Sequence, residues 1–183
     1  MKALLIVDVQ NDFCPGGALS VEGGDEVVPI INDLATEFDW VIASRDWHPE
    51  DTVHFKKWPV HCVKDTEGAE FHPDLNLEVI NQFLLKGTEN KDDGYSAFEA
   101  TNLNLAELLK EKGLEKLYIA GLTTDYCVKA SAIDSARNGF DTRVIIDATR
   151  AVEASPGDKN QAMEEMQKAG CTLVLTEAVK PNL

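Results

Sequence analysis

Six short apolar runs punctuate the chain, and most are separated by segments whose apolar residues recur every three or four positions. The runs are Ala3–Val9, Trp40–Ser44, Phe83–Lys86, Lys116–Ala120, Arg143–Asp147 and Thr172–Thr176, each the length of a strand. Helical spacing is carried by Val27, Val28, Ile30, Ile31 and Leu34 within Asp25–Phe38, where Pro29 is tolerable only near the start. It recurs in Leu103–Lys112, closed by Gly113, and in Asp158–Ala169. After Gly121 it reappears as Val128, Ala132, Ile133 and Ala136, up to Asn138-Gly139, with Thr124 or Asp125 as the expected cap. The first run is apolar on both faces, as in a buried parallel strand. Strands alternating with helices predict an α/β fold: one domain over residues 1–183, a doubly wound six-stranded parallel sheet in a three-layer α/β/α arrangement.

In such sheets ligands bind beyond the carboxyl ends of the strands. Asp8, Asp46 with His48, Lys86, Cys127 and Asp147 all fall at or just after strand ends, so the pattern gathers reactive groups at one edge. Cys127 is expected in the first helical turn, where free N–H groups and the positive end of the dipole favour a thiolate and can receive an oxyanion. The bland alternative is a half-buried structural thiol. Asp8, ending an apolar strand, suits proton transfer or a loop cap; Lys86 is a cation for that carboxylate or a strand-end charge reaching water. Asp46-x-His48 places two ligand types on one side of an extended segment, and His48, His54 and His61 share the long irregular stretch from Arg45 to Pro73. Imidazole with carboxylate suits zinc, with iron or manganese as alternatives. Phe13, Trp58 and Tyr95 lie in loops at the same edge, able to line a pocket for a flat ring or to pack as satellites of the core. His72, beside Pro73, is assigned surface hydrogen bonding.

Composition narrows the partners. A net charge of −15 over 183 residues lacks the basic patch that nucleic acid or an anionic membrane requires. No apolar stretch approaches the roughly 20 residues of a membrane helix. Cys14, Cys62, Cys127 and Cys171 form no C-x-x-C pair, which fits reduced thiols in a cytoplasm. Homo-oligomerisation is common for such domains, but the sequence marks no interface.

Taken in order, IVDVQNDFCPGGAL (Ile6–Leu19), RDWH (Arg45–His48), WPVHCV (Trp58–Val63), GAEFHP (Gly68–Pro73), KG (Lys86–Gly87), GYSAF (Gly94–Phe98) and GLTTDYCV (Gly121–Val128) resemble the nicotinamidases (pyrazinamidases) of the isochorismatase-like cysteine hydrolase superfamily. The resemblance spans nearly the whole chain. It implies a triad of Asp8, Lys86 and Cys127, and a divalent metal on Asp46, His48 and His61, with His54 a fourth ligand in some members. It also implies a cis peptide between Leu122 and Thr123, an oxyanion hole from the Thr123 and Cys127 N–H groups, and Phe13, Trp58, Tyr95 and Leu122 around a pyridine ring. The implied activity is hydrolysis of nicotinamide to nicotinate and ammonia through a thioester, in NAD salvage. Only three residues separate His54 from Trp58, fewer than in some relatives, which questions His54. A carbamoyl or ureido amidohydrolase is the nearest alternative, disfavoured by Asp46, His48 and His61; an isochorismatase proper is disfavoured by Cys127. A metal-dependent binding domain with an inert thiol is the reading from another class.

Overall fold

β1 (Lys2–Val7) lies between β2 (Trp40–Asp46) and β4 (Lys116–Leu122), and β3 (Gln82–Lys86), β5 (Asp141–Arg150) and β6 (Thr172–Val174) complete one sheet in the order β3-β2-β1-β4-β5-β6. The computed structural model describes residues 1–180, and every strand pairing in the sheet is parallel. Successive side chains of β1 alternate between two layers. Leu4 and Ile6 join one apolar cluster with α1 (Val27–Ala35). Ala3, Leu5 and Val7 join the other, with α2 (Leu105–Glu111), α3 (Lys129–Arg137) and α4 (Asp158–Lys168). Two covered faces require strands apolar throughout, which is why β1 reads as an unbroken run.

Helix limits differ from the periodic pattern where side chains intervene. Gly24–Glu26 forms a 3-10 turn, so α1 starts at Val27 and Pro29 falls in its first turn, where its missing N–H has no helical partner to lose. α2 starts at Leu105 rather than Leu103 because the Asn104 side chain accepts from the Glu107 N–H at 3.2 Å and caps it there. β5 runs well past Asp147, to Arg150, through an irregularity opposite Ile119 and Gly121. Asp147 therefore lies inside the strand, and its carboxylate accepts from the Thr176 N–H at 3.0 Å; it does not belong to the reactive edge.

The expected cap before α3 is also corrected. Thr124–Val128 forms a π-helical turn, and no side chain caps it. Asp125 instead accepts from the N–H groups of Val152 and Glu153, at 3.0 and 2.8 Å, pinning the segment after β5. Among the described residues no helix is long and apolar enough to cross a membrane.

Candidate active site

The chain leaves β1 towards β2 on one side and returns as β4 on the other, so a crevice opens beyond the carboxyl ends of these two strands. Asp8 follows β1 with φ of +49°, a conformation Asp tolerates better than most residues. Its N–H donates to Ser44 O at 3.0 Å, and Ser44 Oγ donates to Asp8 Oδ1 at 2.8 Å. Lys86 is the last residue of β3, in register with Asp46 at the end of β2. Lys86 Nζ lies 2.7 Å from Asp8 Oδ2, donates to Gly94 O at 2.8 Å and to Cys127 Sγ at 3.5 Å, and pairs with Asp46 Oδ1. The structure thus brings together the three residues singled out as a triad, with Asp46 as a fourth member of the cluster.

Lys86 and Asp8 are wholly buried. Burial alone would strip the lysine of its proton, but Asp46 and Asp8 outweigh it and hold the ammonium well above its usual range. For Asp8 burial dominates over Lys86, and its carboxyl is raised to about 6. At Asp46 burial is outweighed by Lys86 and His48, so this carboxyl lies well below its usual range. Cys127 is pushed well above 9 by burial, against the pull of Lys86. Burial thus opposes the thiolate that the end of a helix favours. A base is needed, and Asp8 is the adjacent one.

The second cluster faces the same crevice. Ligand atoms of His48, His54 and His61 lie within 4.8 Å of one another. Each ring has its Nδ1 engaged: His48 with Gly87 O at 2.9 Å, His61 with Pro59 O at 2.6 Å, and His54 with Asp92 Oδ1 at 2.9 Å. That leaves three Nε2 atoms for a ligand, and His48 Nε2 is buried without a hydrogen-bond partner. Asp46 Oδ2 lies 3.5 Å from His48 Nε2 and 4.0 Å from His61 Nε2. Burial keeps His54 and His61 below the usual imidazole range, hence neutral, as ligation needs. An orphaned imidazole nitrogen beside a carboxylate and two further imidazoles fits a divalent cation. The short spacing to Trp58 does not remove His54, because the 3-10 turn Val53–Lys56 brings the Trp58 N–H to His54 O at 3.1 Å.

Gly87 shows how closely this cluster is packed. With φ of +63°, an added Cβ would fall 2.4 Å from His48 Cε1. Gly87→Ala is therefore expected to push the His48 ring aside and weaken divalent-metal binding at least tenfold, with a smaller fall in stability; metal titration of the variant checks this.

Between the clusters lies a narrow crevice, partly open to solvent, lined by Phe13, Trp58 and Tyr95 as well as by Cys127 and the three imidazoles. Trp58 Nε1 donates to Tyr95 Oη at 2.9 Å, and Phe13 stacks at a tilt on His61 with centroids 5.5 Å apart. Leu122 is not part of this wall. Its side chain is fully buried on the α1 side of the sheet, as the alternation along β4 dictates after Ala120. The Leu122–Thr123 peptide is cis, and the Thr123 N–H has no protein acceptor among the described residues. His72 stays outside, its Nδ1 accepting from the Asp74 N–H at 3.2 Å.

Several contributors escaped the sequence reading. Tyr126 lines the cavity and meets Trp58 edge-on, at 4.9 Å between centroids. Its place beside Cys127 is the available signal, and a regular helical period does not reveal it because the backbone there forms a π-turn. Gln10 is wholly buried; its Nε2 donates to Asp46 O at 2.8 Å and its Oε1 accepts from Asp46 N at 2.9 Å, fixing that carboxylate's backbone. Asp92, on the loop after β3, gave no pattern at all.

Fold and crevice define an open parallel α/β protein with a buried cysteine, lysine and aspartate beyond the carboxyl ends of its strands. The chain belongs to the isochorismatase family, whose domain model matches residues 2–178. It is 40% identical to a nicotinamidase of Acinetobacter baylyi, covering 92% of this chain and 89% of that protein. Identity is also 40% to the nicotinamidase/pyrazinamidase of Mycobacterium tuberculosis, over 95% of this chain and 98% of the relative. The zinc complex of the pyrazinamidase of Pyrococcus horikoshii superposes with a TM-score of 0.85 at 40% identity, covering 95% and 98% of the two chains.

Proposed function

We propose that this protein is a nicotinamide amidohydrolase, acting also on pyrazinamide, whose whole chain, residues 1–183, serves as one hydrolase domain in NAD salvage. The observation that carries the reading is the aromatic cavity, with a thiol cluster at one end and a cation-ready imidazole cluster at the other. A flat heteroaromatic amide spans both. Asp46, His48, His54 and His61 would hold one divalent ion, zinc by its fit to this donor set. When bound, that ion supplies a Lewis acid towards the ring nitrogen, directly or through water.

The chain's own residues then perform the chemistry. Phe13, Trp58 and Tyr95 hold the ring and exclude water. Asp8 takes the proton from Cys127 Sγ while Lys86 stays charged beside both. The sulfur attacks the amide carbon, and the N–H groups of Thr123 and Cys127 receive the developing oxyanion. Asp8 gives the proton to the departing nitrogen, which leaves as ammonia and leaves a thioester. Asp8 then takes a proton from water, whose oxygen attacks the thioester carbon. The carbon–sulfur bond breaks, and Asp8 returns that proton to Cys127 Sγ as the acid is released. The free cysteines fit a reducing compartment, the cytoplasm.

Ammonia release from nicotinamide by zinc-loaded protein, beside a ureido acid as competitor substrate, tests the reading. Release from the ureido acid alone would transfer the assignment to the other amidohydrolases of the family. The raised Asp8 sets the acid limb. A base must be ionised, so kcat/KM is expected to be flat above about pH 6 and to fall about tenfold per unit below it. A pH–rate profile without an inflection near that value would remove Asp8 as the base.

A further inference from the structure

The three imidazoles are not oriented alike. His48 and His61 are held by main-chain carbonyls of Gly87 and Pro59. His54 instead leans on a carboxylate from another segment, Asp92 Oδ1, at 2.9 Å. The same oxygen accepts from Tyr95 Oη at 2.9 Å, and Tyr95 Oη in turn accepts from Trp58 Nε1 at 2.9 Å. One acidic side chain thus ties an imidazole to two aromatic walls of the cavity. His54 is nearly buried, with 5% of its side chain exposed, whereas 39% of Asp92 is exposed, so Asp92 has little part in the core.

We propose that Asp92 is a positioning residue that fixes the His54 ring for metal binding and, through Tyr95 and Trp58, sets the width of the ring-binding slot. An acceptor on Nδ1 selects the tautomer with its proton there and turns a basic Nε2 towards His48 and His61. An anionic acceptor also makes that nitrogen a stronger donor to a cation than a carbonyl does. Tyr95, with its hydroxyl proton committed to Asp92, keeps its oxygen free for Trp58, so the two rings cannot rotate independently. The inference rests on the reading of His54 as a ligand.

Zinc affinity, measured by competition with a chromophoric chelator, separates the two. Asp92→Ala is expected to lose about 10–100-fold in affinity. Asp92→Asn is expected to lose less, because its amide oxygen still accepts from Nδ1. Lys57→Ala, which removes only the exposed cation 3.4 Å from Asp92 Oδ2, is expected to keep the native affinity. In the zinc-loaded enzyme Asp92→Ala is further expected to raise KM for nicotinamide, as Tyr95 and Trp58 lose their tether. Unchanged zinc affinity in both Asp92 variants, with His54→Ala strongly weakened, overturns the role of Asp92 alone. Unchanged affinity in His54→Ala as well overturns the ligand reading, and the Asp92 inference with it.

Discussion

Cys127→Ala is expected to bind nicotinamide and to release no ammonia above background, a loss on the order of 10⁶ in kcat if the thiol acts as sole nucleophile. The size follows from how the cluster is built. Two hydroxyls near the cluster are engaged within it or elsewhere: Ser44 Oγ donates to Asp8 Oδ1, and Thr124 Oγ1 donates to Thr149 Oγ1 at 2.9 Å. Substrate affinity is expected to persist, because the aromatic walls and imidazoles are untouched. Single-turnover assays with equilibrium binding measure both halves. Residual turnover within a hundredfold of the native rate would mean that water attacks directly and that the thioester is not on the route.

Lys86→Met carries the second large effect, on stability. The native cluster holds one buried cation between two buried carboxylates. Removing the cation leaves Asp8 without a counter-charge and Asp46 with only the imidazole side to offset it, and breaking such a pair typically costs about 3–5 kcal/mol. The deficit is expected to depend on pH. A carboxyl whose folded pKa lies above its unfolded value binds a proton on folding, so stability rises as pH falls through the folded value. Asp8 already stands at about 6 with Lys86 present, mainly through burial, and losing the cation raises it further. The variant's deficit should therefore be full near pH 8 and shrink towards pH 5. Urea denaturation at several pH values measures this; a deficit independent of pH would show that packing, not charge, is what Lys86 supplies.

Much of this arrangement was legible in the chain. β1 and β4 stand out because a strand covered on both faces must be apolar throughout, and their ends announce Asp8 and the loop to Cys127. Asp46 and His48 were legible for the same reason, being at the end of β2. What stayed hidden depends on contacts between distant segments. Leu122 was misplaced because a motif names a position, whereas strand alternation decides which side its chain occupies. Asp125 has the spacing of a cap, yet its partners Val152 and Glu153 lie in the segment after β5, 27 and 28 positions away. The burial that raises the Cys127 thiol above its usual range is likewise not visible in a local pattern. Asp92 and Gln10 act through hydrogen bonds across 38 and 36 positions of sequence, a range at which periodicity says nothing.

The order of strands has a consequence during synthesis. β4 pairs with β1 from Lys2 opposite Lys116 to Val7 opposite Gly121, so the central pairing waits for a strand made late in the chain. A nascent chain ending before β4 already contains every imidazole, Asp8, Asp46 and Lys86, but not the sulfur. Catalytic competence is thus withheld until the sheet's middle is closed, and recovery of activity on refolding reports the arrival of β4 beside β1 rather than the formation of either half.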